Sequence, residues 1–546
     1  MKQKLKINLI QFNPIVGDID GNANKILNYI KQSNSDNIIS LYVFPEMSLC
    51  GYIPEDLLFR KDFKRSINKN VRKIVSNTLK GNYIFLGTPR YEKINKKEKV
   101  FNSCLIINNK GIVNYYDKRN LPNYGVFDEK RYFSKGNKKL TIEINGIKIA
   151  LLICEDVWDK TTISESLSSP SPEICITLNA SPFEIGKKNI RSEILKKAAK
   201  KYKTNFIYLN IIGGQDEIVF DGSSLIYDKS SQKLMHMDSF KESILTLNYA
   251  KKFKLSKNIS IIDNKKKQIS DIYEAIKLGT KDYILKNNFE GVIIGLSGGI
   301  DSALTLAIAS DILSKDKILP VLMPSIYTSS LSNKLAREQC AMLGITPYEI
   351  PIIDINKSVK YVISENFLPI NNNIAAENIQ SRIRGLLLMT LSNETGKVVL
   401  STGNKSELAV GYSTLYGDMS GSFSPLKDLY KTDIYKLSIY RNSFKKAIPE
   451  KILKREPSAE LNFNQKDTDS LPSYDKLDKI LKSFIEKRMS VDDITNLGFE
   501  RKLVKEIINK VIKNEFKRRQ SAPGVKIYPE SFGKDRRFPI VSKFKF

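Results

Sequence analysis

The chain has 546 residues, and its 88 lysines and arginines against 59 aspartates and glutamates give a formal net charge of +29, with a single histidine, His236. One histidine excludes a three-histidine zinc site and an HExxH metalloprotease. A Ser-His-Asp triad could use only His236, and we interpret this histidine as a structural or exposed residue.

The length predicts two to four domains at about 100–200 residues each. The five cysteines are widely spaced and form no CxxC pair, which favours a reducing compartment without disulfides or a zinc ribbon. The first residues, MKQKLKINLIQFNP, are typical of a β-strand rather than a signal peptide, and no apolar run is long enough to span a membrane. We therefore predict a soluble cytoplasmic protein.

The basic excess has two interpretations, a nucleic-acid footprint or a solvated surface of biased composition. Its lysines are scattered in short runs, with no basic tail and no aromatic-basic repeat. The pattern favours the solvated surface, so we predict no nucleic-acid partner and no membrane partner.

The first half alternates short apolar runs with lysine-rich helical patterns, which is typical of a layered α/β domain. The predicted helices are 22–33, 61–79 and 189–202. The predicted strands are 7–12, 37–46, 83–90, 103–109, 147–156, 174–181 and 206–214.

Three residue types at predicted strand ends make a hydrolytic site without histidine. Cys154 follows an apolar strand in LLICEDVW, where the start of a helix is expected to lower the thiol pKa and favour the thiolate. Glu46, in VFPEMSLCGYIPEDLL, would accept the thiol proton and later activate water. Lys118, in YYDKRNLPNYGVFDEKRYF, would stabilise the tetrahedral oxyanion.

This set resembles the carbon–nitrogen hydrolase (nitrilase) superfamily, and the likeness extends through NASPFEIGK and GGQDEIVFDGSS. The resemblance implies an α-β-β-α sandwich over residues 1–250 that acts as a glutaminase. It implies glutamine binding by Tyr124, Ser181 and Lys187, with Glu129 supporting Lys118. The other cysteines, Cys50, Cys104, Cys175 and Cys340, are interpreted as core residues.

A polar, basic stretch over 251–268 predicts a linker, after which residues 269–546 form a second domain. Its start alternates a helix (269–287), a strand (291–299), a helix (301–313) and a strand (317–325). This order predicts a βαβ unit in a doubly wound, Rossmann-like parallel sheet.

The segment SGGIDS, residues 297–302, lies between a predicted strand and helix but lacks the Walker A pattern. Gly298 and Gly299 allow a tight turn close to a ligand, and the helix start offers N–H groups to an anion. A carboxylate such as Asp301 would repel phosphate in this loop unless a cation is bound as well, and Mg²⁺ on the phosphate oxygens fits that role. The loop predicts phosphate binding.

The loop resembles that of the N-type ATP pyrophosphatases, which adenylylate a substrate and release pyrophosphate. Downstream, ENIQSRIRG, STGNKSE, GYSTLYGDMSGSFSPLKDLYKT, EPSAEL and NEFKRRQSAPGVKI follow the order of NAD synthetase domains. With the glutaminase half, the chain resembles the glutamine-dependent NAD synthetases. The ammonia-dependent members carry Lys and Asp at the positions of Leu415 and Ser422, so those contacts do not transfer.

The resemblance implies ATP and Mg²⁺ as substrate and cofactor, deamido-NAD and glutamine as the other substrates, and a homo-oligomer. It implies that Gly295, Leu296, Ser297, Gly298, Gly299, Ile300, Asp301 and Ser302 hold the ATP phosphates, and that Thr402 and Lys431 contact ATP. It assigns Mg²⁺ to Asp301 and Glu407, and the deamido-NAD side to Asn378, Glu407, Asp418 and Lys517. Glu407 thus has either a shared or an alternative role.

Three alternatives remain at this point. One is an amidotransferase for another substrate such as xanthosine monophosphate, against which ENIQSRIRG and GYSTLYGDMSG argue. The second is an RNA-binding or tRNA-modifying protein, which would lack a glutaminase half. The third is an inactive partner, which would not keep Glu46, Lys118, Cys154 and SGGIDS together.

Overall fold

The computed structural model describes residues 4–33, 38–168, 171–254, 264–370, 374–544 and 546. Contacts divide the chain into two units, Met1–Asp263 and Asn264–Phe546. The predicted linker, 251–268, lies partly outside the described residues, and its last residues already belong to a helix that begins at Asn264. No helix among the described residues is long and apolar enough to cross a membrane.

The first unit is built from two large sheets and a small hairpin. Its strands are β1 (Leu5–Gln11), β2 (Ser40–Val43), β3 (Asn82–Ile94), β4 (Lys97–Asn108), β5 (Gly111–Asp117), β6 (Thr141–Ile144), β7 (Ile147–Ile153), β8 (Ile174–Asn179), β9 (Asn205–Asn210), β10 (Ile212–Gln215), β11 (Ile218–Asp221), β12 (Leu225–Tyr227), β13 (Lys233–His236), β14 (Ser243–Tyr249) and β15 (Phe253–Lys254). Its helices are α1 (Ile19–Ser33), α2 (Lys61–Ser76), α3 (Glu129–Tyr132), α4 (Lys160–Leu167) and α5 (Lys187–Tyr202), with 3₁₀ helices at Glu55–Phe59 and Cys154–Val157.

The two sheets pack face to face in the order expected of a four-layer sandwich. One sheet runs β15-β14-β1-β2-β3-β4-β5 and the other runs β13-β12-β9-β8-β7-β6. Side chains from both sheets, such as Leu41, Phe85 and Ile176, share one buried core. Ala23 of α1 and Ile67 of α2 belong to a second core on the outer face of the first sheet, while α4 and α5 contact strands of the second sheet. The predicted α-β-β-α arrangement is confirmed.

Strand boundaries differ from the prediction next to the nucleophile candidate. The predicted strand 147–156 ends at Ile153, and Cys154 begins the 3₁₀ helix. The strands β7, β8 and β9 are parallel neighbours. Because parallel strands end at one edge of their sheet, the residues that follow them, among them Cys154 and Ser181, collect there.

The second unit contains a small sheet surrounded by helices. Its strands are β16 (Val292–Gly295), β17 (Ile318–Leu322), β18 (Tyr348–Glu349) and β19 (Val398–Val399). Its helices are α6 (Asn264–Lys286), α7 (Ile300–Ile312), α8 (Ser330–Leu343), α9 (Ile353–Asn366), α10 (Ile374–Thr395), α11 (Lys405–Val410), α12 (Lys431–Asn442), α13 (Glu450–Lys454), α14 (Tyr474–Ile485), α15 (Val491–Thr495), α16 (Arg501–Lys513) and α17 (Glu515–Arg518).

The sheet of the second unit is parallel throughout, in the order β18-β17-β16-β19. Ile293 packs with α9 and α10 in one core. Its buried neighbours Val292 and Ile294 point to the opposite face, because side chains alternate along a strand. Helix α7 contacts β16 directly. Helices on both faces of a parallel sheet confirm the predicted doubly wound fold.

Candidate functional site

Glu46 is held rigidly in the turn that follows β2. Its Oε1 accepts hydrogen bonds from Asn102 Nδ2 at 2.6 Å and from Lys118 Nζ at 2.8 Å, while its Oε2 accepts one from Ala180 N at 2.7 Å. The turn fits against β3 because Gly87 has no side chain, since a Cβ there would lie 2.1 Å from the Pro45 carbonyl oxygen. The carboxylate is fully buried. These contacts fix its orientation as a base would require.

Lys118 lies directly after β5 and its ammonium is shared by two carboxylates. Besides Glu46, Nζ donates to Oε1 of Glu129 at 2.7 Å. Burial alone would lower the pKa of Lys118, but the carboxylates of Glu129 and Glu46 outweigh it and hold the pKa well above its ordinary value. Lys118 is therefore a permanent cation in a buried site, which is suited to stabilising an oxyanion.

Glu129 begins α3 and is buried beneath Lys118. Its Oε1 also accepts a hydrogen bond from the Tyr52 hydroxyl at 2.8 Å. Burial raises the pKa of Glu129 to about 7, against the opposing effect of Lys118. The structure thus brings Glu129 to Lys118, as the sequence resemblance implied.

Cys154 lies directly after β7, with a φ of +42°, and is 5% exposed. A positive φ is a strained conformation for a residue with a side chain, and such strain concentrates at functional sites. The expected lowering of the thiol pKa is wrong. Burial and the negative charge of Glu46 raise the pKa of Cys154 well above its ordinary value, and Lys118 offsets them only in part. The resting group is a thiol, so attack requires a base.

The three predicted glutamine-binding residues lie on loops next to the cysteine turn. The Tyr124 hydroxyl, on a half-exposed side chain, donates to the Glu155 carboxylate at 3.0 Å. Ser181 is buried directly after β8. Lys187 begins α5 and places its Nζ 5.6 Å from the Trp158 ring. Glu155 and Trp158 both belong to the stretch that starts with Cys154, so Tyr124 and Lys187 lie beside the cysteine turn.

Sequence reasoning missed two residues of this site, because no local signal marks them. Asn102, which orients Glu46, is 56 positions away along the chain. Arg191 is fully buried, paired with Asp221 at 2.7 Å, and its Nε donates to Ser181 Oγ at 3.1 Å.

The phosphate-loop candidate of the second unit connects β16 to α7. Gly298 has a φ of +79°, and a Cβ there would lie 2.4 Å from the carbonyl oxygen of Ser332. The hydroxyls of Ser297 and Ser302 lie 3.1 Å apart, and Ser297 Oγ accepts from the backbone N–H of Gly299 at 3.2 Å. Helix α7, of 13 residues, starts at Ile300. The loop therefore offers hydroxyls and the positive end of a helix to an anion.

Lys431, at the start of α12, connects two carboxylates beside this loop. Its Nζ lies 2.6 Å from Oδ2 of Asp301 and 2.9 Å from Oε1 of Glu407. Asn404 Nδ2 donates to the other oxygen of Asp301 at 2.9 Å. Burial raises the pKa of Glu407 to about 7, although Lys431 acts in the opposite direction.

A cavity of about 290 Å³ opens beside these groups. Of the predicted residues, its lining includes the whole loop 295–302, Thr402, Glu407, Asp418 and Lys431. Asn378 and Lys517 are not among the lining residues. Asn378 Oδ1 accepts from the Thr414 hydroxyl at 2.8 Å, and Lys517 Nζ donates to the carbonyl oxygens of Gly411 and Ser413 at 2.7 and 2.8 Å.

Thr414 links Asn378 to Asp418, because its backbone N–H donates to Oδ1 of Asp418 at 2.7 Å. Burial raises the pKa of Asp418 to about 6. The cavity also contains Arg384, whose pKa burial lowers to about 10, and the missed carboxylate Asp467. Arg384 lies in the segment ENIQSRIRG, in which the sequence resemblance implied a role only for Asn378.

Comparisons with known proteins agree for both units. Residues 6–250 match the carbon-nitrogen hydrolase family and residues 272–521 match the NAD synthase family. The glutamine-dependent NAD(+) synthetase of Acinetobacter baylyi is 41% identical over 100% of this chain and 99% of its own, and that of Thermotoga maritima is 38% identical over the same shares. The solved glutamine-dependent NAD+ synthetase from Acinetobacter baumannii, in complex with ADP, is 38% identical, covers 98% of both chains and has a TM-score of 0.78.

Proposed function

The chain belongs to the family of glutamine-dependent NAD(+) synthetases, a family of ligases, and we propose that Cys154 releases ammonia from glutamine while the second unit uses it to amidate deamido-NAD with ATP. The observation that carries the proposal is that one chain holds both a buried Glu46–Lys118 pair beside Cys154 and a Lys431-linked carboxylate pair beside the 295–302 loop.

In the first unit, Cys154 Sγ attacks the γ-carboxamide carbon of glutamine as Glu46 accepts the thiol proton. Lys118 stabilises the resulting oxyanion. As the tetrahedral intermediate collapses, the carbon–nitrogen bond breaks and Glu46 returns the proton to the leaving ammonia. Water, deprotonated by Glu46, then attacks the thioester, and glutamate leaves with the thiol restored.

Tyr124, Ser181 and Lys187 bind the amino-acid end of glutamine in this proposal. Arg191 Nε donates to Ser181 Oγ, so in this proposal the Ser181 hydroxyl acts as a donor toward the substrate carboxylate. Lys187 supplies a positive charge for the same carboxylate. Both contacts require the free carboxylate of glutamine, so simple amides are expected to be poorer substrates.

In the second unit, the 295–302 loop binds the phosphates of ATP, with Thr402 and Lys431 contacting the nucleotide. Asn378, Asp418 and Lys517 belong to the deamido-NAD side of the site in this proposal. The nicotinate carboxylate of deamido-NAD attacks the α-phosphorus, and pyrophosphate leaves. Lys431 neutralises charge that develops on that leaving group. Ammonia then attacks the acyl carbon and AMP departs, leaving the amide of NAD.

Asp301 and Glu407 fit a Mg²⁺ ion that is bound together with phosphate. Each has one oxygen within hydrogen-bond distance of the Lys431 ammonium, so the two hard oxygen ligands lie close together, with that ammonium between them. Among the described residues, no group of three or more acidic, histidine or cysteine side chains could hold a metal. Mg²⁺ is commonly held by one or two carboxylates plus substrate phosphates, and it would neutralise phosphate charge here. Glu407 thus takes the metal role in this proposal and also borders the deamido-NAD side.

One assay tests the proposal with deamido-NAD, ATP and Mg²⁺, supplied with either glutamine or ammonium. Cys154→Ala is expected to lower the glutamine rate by at least about a thousandfold, because the nucleophile is lost, and to leave the ammonium rate unchanged. The matched control is Cys175→Ala, a buried cysteine on the adjacent strand β8, which is expected to keep both rates. Glutamine use that survives in Cys154→Ala would refute the proposed nucleophile.

A further inference from the structure

Asp156 is the second residue after Cys154 and lies in the 3₁₀ helix Cys154–Val157. It is fully buried. Nothing in the reaction proposed above uses it. Among the described residues, the Lys118 ammonium forms its ion pairs with Glu46 and Glu129. Burial raises the pKa of Asp156, and the Lys118 charge opposes that rise without an ion pair between the two.

The Asp156 carboxylate connects the cysteine turn to the loop that carries Lys118. On the loop side, Oδ1 accepts the backbone N–H of Asn120 at 2.8 Å and of Arg119 at 3.1 Å, and Oδ2 accepts the Tyr116 hydroxyl at 2.9 Å. On the cysteine side, Oδ2 accepts the backbone N–H of Ile153 at 3.2 Å. Residues on both sides of Lys118, and the residue just before Cys154, are thus hydrogen-bonded to one buried group.

Asp156 supports the loop beyond Lys118 and the strained turn at Cys154. The backbone of Lys118 itself is held, because its N–H donates to the Asn102 carbonyl oxygen and its carbonyl oxygen accepts from the Gly136 N–H, both at 2.8 Å. The N–H groups of the two residues that follow it are the ones that donate to Asp156. Cys154 has a left-handed φ of +42°, and a residue with that backbone persists only when its surroundings hold it. A carboxylate suits this place because it is an acceptor with about four lone-pair sites, all of which can face donors.

We propose that Asp156 is a positioning residue that holds the Lys118 ammonium and the Cys154 thiol in the relative placement that glutamine hydrolysis requires. The inference rests on the proposed function, in which Cys154 attacks and Lys118 stabilises the oxyanion. Asp156 acts only through these two residues. A displacement of about 1 Å in such a site lowers the rate by about a hundredfold.

The main test variant is Asp156→Asn, which keeps the shape of the side chain. Its amide NH₂ replaces one acceptor oxygen, so at least one of the present donors then faces another donor. We expect kcat with glutamine to fall by about a hundredfold. The KM for glutamine should stay unchanged, because Tyr124, Ser181 and Lys187 make no hydrogen bond to Asp156. The rate with ammonium should also stay unchanged, since it needs only the second unit.

Tyr116→Phe is the second variant, and it keeps the test decisive where Asp156→Asn fails to fold. It removes one hydroxyl donor to Asp156 and leaves the rest of the packing in place. We expect a fall in kcat of about tenfold, again at constant KM. The matched control is Asp159→Asn, which changes a carboxylate that caps α4 through the Thr162 N–H at 2.7 Å. This control should keep both kinetic constants.

The inference is overturned when a folded Asp156→Asn or Tyr116→Phe enzyme keeps its full kcat with glutamine, or when KM rises while kcat is unchanged. Cys154→Ala is assayed in parallel to separate the two claims. Glutamine use that survives in Cys154→Ala contradicts the proposed function itself. Loss of glutamine use in Cys154→Ala together with full kcat in Asp156→Asn contradicts only the role of Asp156.

Discussion

Lys118 and Glu129 form a buried ion pair in which Nζ and Oε1 lie 2.7 Å apart and each side chain is 1% exposed. Because the same ammonium also contacts Glu46, the charge of Glu129 determines how strongly Lys118 is held toward Glu46 and the thiol. Burial raises the pKa of Glu129 to about 7, so this charge changes within the range in which enzymes are assayed.

Glu129→Gln is expected to lower kcat with glutamine in a pH-dependent way. Glutamine mimics the protonated carboxyl, and Glu129 is mainly ionised above pH 7 but protonated below it. The variant should therefore lose about tenfold or more at pH 8, as for a hydrogen bond to a charged group, and approach the parent enzyme at pH 6. The measurement is kcat with glutamine from pH 6 to pH 8, expressed as the ratio of the variant to the parent enzyme. The control is Glu143→Gln, on the exposed face of β6. A ratio that stays constant with pH would contradict this account.

The reactivity of Cys154 should rise as pH is raised above neutrality. Thiolate is the reactive form, and a raised pKa leaves little of it at pH 7. Glu46→Gln removes a charge that raises this pKa, so it should speed up alkylation by iodoacetamide at pH 8 while abolishing turnover with glutamine. The measurement is label incorporation against pH, with Cys154→Ala identifying the labelled site. Fast, pH-independent labelling above pH 7 would instead indicate a resting thiolate.

The fold was largely predictable from the sequence, because apolar runs and turn residues alternate with a regular spacing. That order predicts a layered α/β first half and the parallel sheet of the second half, whereas the α-β-β-α sandwich was implied by the resemblance to the carbon–nitrogen hydrolases. The electrostatics of the thiol were not predictable. The sequence shows a helix start after Cys154, but the helix has only four residues, and burial beside Glu46 decides the pKa.

Contacts between distant segments were also outside the reach of sequence patterns. Arg191 lies in a lysine-rich helix, so its sequence context predicts an exposed charge. In the structure it is buried and donates a hydrogen bond to Ser181. Lys405 lies within the segment STGNKSE, two positions before Glu407, yet its partners Asp428 and Glu486 come from other parts of the chain. Local periodicity contains no information on which buried charges meet.

Lys431→Met is expected to lower NAD synthesis with either nitrogen donor, since Lys431 acts in the second unit. Loss of one preorganised group that stabilises developing charge costs about a hundredfold to a thousandfold in rate. Hydrolysis of glutamine to glutamate, measured separately, should continue at the first site. Lys436→Met is the matched control, because this lysine lies on the same helix and is largely exposed. A loss confined to the glutamine-driven reaction would show that Lys431 acts on ammonia supply instead.

Lys405→Met is expected to destabilise the second unit. The Nζ of Lys405 is fully buried and lies 2.7 Å from Asp428 Oδ1 and 2.6 Å from Glu486 Oε1, and it donates to the Glu530 carbonyl oxygen at 2.6 Å. Without the Lys405 cation, the carboxylates of Asp428 and Glu486 lose their shared partner, which lowers the free energy of unfolding by about 3–5 kcal/mol. Burial opposes the charge, but both carboxylates hold the pKa of Lys405 above its ordinary value, so the loss should be equal at pH 7 and pH 9.

The measurement for Lys405→Met is the temperature at which ammonium-dependent activity is lost on heating, because that activity reports on the second unit alone. The control is Lys446→Met, an exposed lysine 3.5 Å from Glu450, for which a loss below about 1 kcal/mol is expected. The two variants remove the same charge and differ in burial. Equal midpoints would therefore show that the Lys405 cluster contributes no more than a surface ion pair, whereas a lower midpoint for Lys405→Met alone would establish that this buried cluster stabilises the second unit.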